Sequence, residues 1–193
     1  MKSICVFCGS NMGSEAVYKE AAIKLGQSFA ARKIRLVYGA GNVGMMGVIA
    51  DATLEAGGEV LGVIPGFLKA KEVCHTGLTE LIVTDTMHER KQIMADQSDG
   101  FIAMPGGFGT LDELCEILTW AQLGLHAHPI GLLNVVGYFD PLLQMFDHMV
   151  TQRFLASENR KLLLSGVRPK DLLQKMADFD PPHVEKWLDR SRT

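Results

Sequence analysis

Short apolar runs rich in β-branched residues alternate along this chain with longer stretches whose apolar positions recur at three- and four-residue spacing. Residues 3–8 read as a first strand, 35–38 as a second and 59–64 as a third, stopped by Pro65-Gly66. Strands at 80–83, 100–104, 130–135 and 162–164 follow. Between them the 3.6-residue period predicts helices over about 15–32, 44–56, 86–98, 110–124, 139–155 and 169–178, with a short one after Pro181-Pro182. Ser14 or the loop before it is placed to cap the first helix, and Gly57-Gly58 to end the second. Residues 67–78 read as loop. Strands that are apolar at successive positions lie in a parallel sheet covered on both faces. The fold class is therefore α/β: a Rossmann-like open, mainly parallel sheet of about seven strands, in a single domain spanning 1–193.

Composition narrows this further. Twenty glycines in 193 residues exceed the ordinary share of about 7%. Nine of them, at 9, 13, 39, 41, 44, 47, 106, 107 and 109, fall in or beside three loops that follow strands. Acidic residues outnumber basic ones, 22 to 19, and no Lys/Arg run exists, which argues against a nucleic-acid polymer as partner. No apolar stretch is long enough to cross a membrane, and the start runs straight into a strand pattern, so a cytoplasmic protein without a leader is expected. Cys5 and Cys8 have CxxC spacing but lie in a strand-like run, where residues three apart face opposite ways. They read as buried reduced thiols, with redox or metal chemistry the lesser alternative. The histidines are scattered and build no metal-ligand spacing, so no metal is expected.

Gly39-Ala40-Gly41-Asn42-Val43-Gly44 fits G-x-G-x-x-G and joins a strand to a helix. It follows the second strand rather than the first, and no acid closes strand three, so a dinucleotide site is disfavoured. A phosphate contact through Gly41 and Gly44, or tight helix–sheet packing alone, remains. Gly106-Gly107-Phe108-Gly109-Thr110 is the stronger loop. Successive free N–H groups form an anion nest there, and Thr110 adds a hydroxyl. Asp112, Glu113 and Glu116 follow, an arrangement the helix dipole also favours, but Glu113 lies within the first turn after the nest and can face a ligand. Gly9-Ser10 is a third candidate. On the helix from 86, Met87, Arg90, Lys91 and Met94 share one face. An arginine fork beside a nest suits phosphate or carboxylate oxygens, the alternative being a snorkelling surface pair.

Pro105-Gly106-Gly107-Phe108-Gly109-Thr110-Leu111-Asp112-Glu113 resembles the PGGxGTxxE motif of the LOG ("lonely guy") family, and Met87-His88-Glu89-Arg90-Lys91 resembles that family's second signature. Cys8-Gly9-Ser10, the loop from Tyr38 to Gly47 and Thr119–Gly124 extend the match to nearly the whole chain. Members of that family are cytokinin riboside 5'-monophosphate phosphoribohydrolases, long mislabelled lysine decarboxylases. The resemblance implies Arg90 and Glu113 as catalytic residues, and Gly106, Gly107, Gly109 and Thr110 as the phosphate loop. It also implies Lys91 at the adjoining basic position, Glu80 close to the sugar or base, and a homodimer. Ala40 departs from it, standing where a third consecutive glycine is usual. The implied reaction cleaves a nucleoside 5'-monophosphate, AMP or an N6-modified AMP, to base and ribose 5-phosphate, with no cofactor. Met87 is a candidate for the base pocket, and Trp120, Leu123 and Leu125 for the subunit interface or for plain core. A nucleotide-binding module without turnover is the alternative, and a pyridoxal-phosphate decarboxylase a remote third.

Overall fold

The computed structural model describes residues 1–69 and 74–182; the helix expected after Pro182 and His183 lie outside the described residues. The elements run β1 (Ser3–Phe7), α1 (Ala16–Arg32), β2 (Arg35–Tyr38), α2 (Gly44–Glu55), β3 (Val60–Pro65), α3 (Gly66–Lys69), β4 (Glu80–Thr84), α4 (Met87–Asp96) and β5 (Phe101–Ala103). They continue α5 (Phe108–Gln122), β6 (Ile130–Leu133), α6 (Asp140–Thr151), α7 (Ser157–Arg160), β7 (Leu163–Gly166) and α8 (Pro169–Ala177). All seven expected strands form. The one-turn helices α3 and α7 were not expected; α3 occupies the start of the segment read as loop.

The strands make one sheet in the order β4-β3-β2-β1-β5-β6-β7, and every pairing is parallel. The chain winds outward from β1 to β4, then returns to place β5 against β1. The connections leaving β1 and β5 therefore part in opposite directions, which opens a crevice at their carboxyl ends. Strand periodicity divides the core in two. Ile4, Val6, Leu36, Ile102 and Met104 pack with Leu25, Phe29, Ile49 and Leu172 from α1, α2 and α8 on one face. Cys5, Phe7, Val37, Phe101 and Ala103 pack with Met94, Leu114 and Ile117 from α4 and α5 on the other. Residues one apart on a strand thus serve opposite faces, the period of two that a sheet imposes.

Local rules account for the end of α2 and the start of α4. Gly57 (φ +79°) ends α2, its N–H and that of Gly58 returning to Leu54 and Thr53 carbonyls. Thr86 caps α4 by accepting from the Glu89 N–H at 3.1 Å, while the Glu89 carboxylate takes the Asp85 N–H at 2.8 Å. The first helix has Glu15, not Ser14, at its N-cap, and no side chain bonds there.

Candidate functional site

Three connections meet at the carboxyl edge of the sheet, and the first ties the other two. Gly9 N–H donates to the Pro105 carbonyl at 3.1 Å, and Met45 N–H donates to the Gly9 carbonyl at 3.0 Å. A methyl at Gly44, whose φ is +62°, would strike the Ser10 carbonyl carbon and oxygen; one at Gly106 would lie 2.8 Å from the Gly9 nitrogen. One at Gly47 would lie 2.5 Å from the Asn42 carbonyl oxygen. The backbones of the three loops touch because the side chains are missing, which accounts for Gly44 and Gly106. Loop 39–47 is therefore shaped by packing; its Gly41 sits under the Met46 side chain. Ala40, the departure from the family pattern, takes φ +60° and is fully buried.

The nest is different. The first backbone bond of α5 runs from Leu111 N–H to the Gly107 carbonyl at 3.2 Å, so the N–H groups of Phe108, Gly109 and Thr110 precede the helical ladder. Methyls on Gly107 or Gly109 would meet nothing within 4 Å. The helix begins at Phe108, which puts Glu113 in its second turn rather than the first. Asp112 and Glu116 do not answer the dipole either: both bind Lys91, at 3.3 and 3.0 Å. Burial lowers the Lys91 pKa, but these two carboxylates outweigh it and hold the ammonium above its ordinary value. Lys91 is thus an α4–α5 clasp, paired with Asp112 and Glu116, beside the phosphate-loop role expected for it.

Arg90 is the buried cation of the site, 8% exposed. Its Nη2 lies 3.5 Å from the Gly39 carbonyl and its Nη1 3.8 Å from the Met87 sulfur; its Nε has no partner among the described residues. A methyl on Gly39 would overlap Nη2, so Gly39 is the space into which the guanidinium fits. The helical face expected to carry four ligand contacts is split: Arg90 and Met94 go inward, Lys91 binds α5, and Met87 stands exposed at the rim. Glu113 faces Arg90. Burial pushes its pKa up to about 7, and the Arg90 charge, which pulls it down, only partly offsets that. Cys5 and Cys8 pack on opposite faces of the sheet, and both thiols are held well above the ordinary range by burial and then by Glu113.

Glu80 lies elsewhere. It begins β4 opposite Leu61, and its carboxylate pairs with Arg35 at the start of β2, so it stands at the amino edge of a parallel sheet whose crevice is at the carboxyl edge. Proximity in sequence to the Arg90 helix does not carry across a strand that runs away from it. Residues not singled out from sequence line a cavity of about 190 Å³ beside the nest: Tyr18 and Tyr138, with Asn11, Met12 and Met45, close it together with Gly9, Ser10, Gly106 and Gly107. Tyr138 follows β6, the strand next to β5, a position at the crevice edge that pointed to it. Among the described residues, no three His, Cys, Asp or Glu side chains cluster to hold a metal, and no helix is long and apolar enough to cross a membrane.

Fold and site together define a doubly wound α/β protein with a glycine-lined crevice at its switch point, flanked by a buried arginine and a half-buried acid. Comparison with known proteins narrows the class. The family model described as "Possible lysine decarboxylase" matches residues 46–176. A probable cytokinin riboside 5'-monophosphate phosphoribohydrolase of Oryza sativa subsp. japonica is 50% identical over 182 residues, 94% of this chain and 82% of its own. A cytokinin riboside 5'-monophosphate phosphoribohydrolase of Arabidopsis thaliana is 47% identical over 182 residues, 94% and 85%. The chain belongs to this phosphoribohydrolase family, the one its motifs resemble. Among solved structures, the molybdenum cofactor binding protein of Rippkaea orientalis (22% identity, TM-score 0.66, 92% and 97% covered) and the Moco carrier protein of Chlamydomonas reinhardtii (22%, 0.66, 90% and 98%) share the fold.

Proposed function

We propose that this chain hydrolyses the N-glycosidic bond of a nucleoside 5'-monophosphate, AMP or an N6-modified AMP of the cytokinin type, to free base and ribose 5-phosphate. The observation that carries it is the pair at the crevice: a buried Arg90 that has no ion pair among the described residues, within electrostatic reach of a Glu113 whose pKa is about 7. The 5'-phosphate takes the N–H groups of loop 106–110, and Arg90 supplies charge-assisted bonds to phosphate or ribose oxygens. That remote binding holds the anomeric carbon in place. As the carbon–nitrogen bond breaks, the Glu113 carboxylate stabilises the oxocarbenium-like sugar; as water adds, a carboxylate titrating near neutrality is suited to accept its proton.

Met87, at the rim beside Arg90, is proposed against the base. A lysine aldimine is disfavoured, because Lys91 is ion-paired twice and held protonated. We take the protein as a cytoplasmic homodimer. The four cysteines are free of disulfides, as a reducing compartment requires. The amphipathic α6 fully buries no residue, and Leu118, Phe146, Met149 and Leu155 line an apolar groove beside exposed Met145 and Phe154, which suits a second copy.

Purified protein, assayed by chromatography against AMP, GMP, CMP, UMP and prenylated AMP without added metal, is expected to release base and ribose 5-phosphate from AMP or its N6 derivative. Glu113→Gln is expected to lower kcat by about 10²-fold or more. Nucleotide binding without release of base from any of the five leaves the binding-module reading in its place.

A further inference from the structure

We propose that Tyr138 is a positioning residue that sets the polarity of the anion nest, by pinning the Gly106–Gly107 peptide with its carbonyl turned out. The inference rests on the phosphate role proposed for that loop. Tyr138 Oη donates to the Gly106 carbonyl oxygen at 2.6 Å. No peptide bond in the described chain is cis. In a planar trans peptide the C=O and N–H point in opposite directions. A carbonyl held on the Tyr138 side therefore turns the Gly107 N–H to the other side, adding a donor at the mouth of α5 beside those of Phe108 and Gly109.

This peptide needs an anchor. It joins two glycines, the residue least able to resist rotation of its own backbone, and no atom lies where a Gly107 side chain would be. Flipped over, it would aim a carbonyl dipole at the anion in place of an N–H. Gly106 is held at its Cα by Gly9 and Thr110, which would touch any methyl there, but neither contact selects the peptide's orientation. The Tyr138 hydroxyl does.

The segment that presents Tyr138 is constrained more than a connecting loop requires. Val136 (φ 45°, ψ 34°) and Gly137 (φ +75°) are consecutive left-handed residues, and a β-branched side chain rarely adopts that conformation. Asn134 fastens the turn from both ends of its amide: Oδ1 accepts the Phe139 N–H at 2.8 Å and Nδ2 donates to Asp140 at 2.7 Å. The Tyr138 ring then meets Tyr18 edge-on at 5.9 Å and Phe139 at 5.0 Å. A strained turn, an amide clasp and two aromatic edges fix one hydroxyl on one carbonyl.

The test uses full-length wild type, Tyr138→Phe and Tyr18→Leu. Tyr138→Phe keeps the ring and its edge contacts and removes only the donor. It is expected to raise KM for AMP about tenfold with kcat within about threefold, the size one lost hydrogen bond gives. By calorimetry it weakens binding of inorganic phosphate and ribose 5-phosphate by a similar factor and leaves adenine binding unchanged. Tyr18→Leu, which loosens the ring but keeps the hydroxyl, shifts the same constants less. Melting curves within a few degrees of wild type show that the fold is intact. Equal KM and equal phosphate affinity in wild type and Tyr138→Phe overturn the proposal, as does a fall in kcat alone or a wild type that binds no phosphate. If wild type cleaves none of the nucleotides while Tyr138→Phe still weakens phosphate binding, the hydrolase reading fails and the role of Tyr138 stands.

Discussion

Two glycine loops stand side by side at the crevice, and their glycines are there for opposite reasons. In loop 39–47 the missing side chains are accounted for from inside the protein: Arg90 fills the space at Gly39, Met46 covers Gly41, and the Ser10 backbone crosses Gly44. In loop 106–110 only Gly106 has such an account, while Gly107 and Gly109 face open space. Gly109, inside the first turn of a helix that prefers almost any other residue, has no such internal account. The same division runs through the charges. Lys91 and Glu80 have partners within the fold, whereas among the described residues the Arg90 Nε has no partner and the desolvated Glu113 has no ion pair.

Substitution separates the two loops most sharply. Gly44→Ala drives a methyl into the Ser10 backbone at a left-handed position, and is expected to destabilise by roughly 3 kcal/mol or more, read as a large fall in the melting midpoint. Gly109→Ala, in the first turn of α5, is expected to do the reverse, adding up to about 1 kcal/mol of stability through helix propensity while raising KM for AMP about tenfold. Loss of stability at Gly109, or tolerance at Gly44, would erase the distinction between a packed glycine and a ligand glycine.

The second contrast concerns Glu113, and here pH is the probe. Its folded pKa is about 7 and its unfolded value near the ordinary 4.5, so between those limits the folded state holds a proton that the unfolded state has released. Stability from this group is complete below about pH 4 and is lost as pH rises through 7. At about 1.4 kcal/mol per pKa unit the full loss is on the order of 3 kcal/mol. Glu113→Gln escapes it. Chemical denaturation is expected to show the variant gaining on wild type from pH 5 to pH 8, while its turnover stays lowest at every pH. A constant gap across that range would mean that Glu113 is solvated and carries no such load.

How much of this was legible beforehand depended on the range of the interaction. The seven strands and most helix limits come from local periodicity, and all seven strands lie where the pattern put them, with ends shifted by a residue or two. The three loops are equally local, glycine after an apolar run. What a glycine is for is not local: Gly44 answers to Ser10 and Gly106 to Gly9, contacts made across the sheet. Lys91 looked like a ligand cation because its partners Asp112 and Glu116 are a helix away, and Tyr138 carried no motif because its work is done on a carbonyl 32 residues earlier.

Glu80 offers the smallest effect and the cleanest control. Arg35 and Glu80 form an ion pair at the amino edge of the sheet, with the Glu80 side chain about half exposed, so screening by water leaves it worth little. Glu80→Ala is expected to cost at most about 1 kcal/mol, and to leave KM and kcat for AMP within about twofold of wild type. The same substitution at an acid facing the ribose would raise KM by far more. A Glu80→Ala enzyme with weakened nucleotide binding would therefore mean that the amino edge of the sheet reaches the substrate, and that satisfaction by an internal partner is no guide to which charges in this protein are structural.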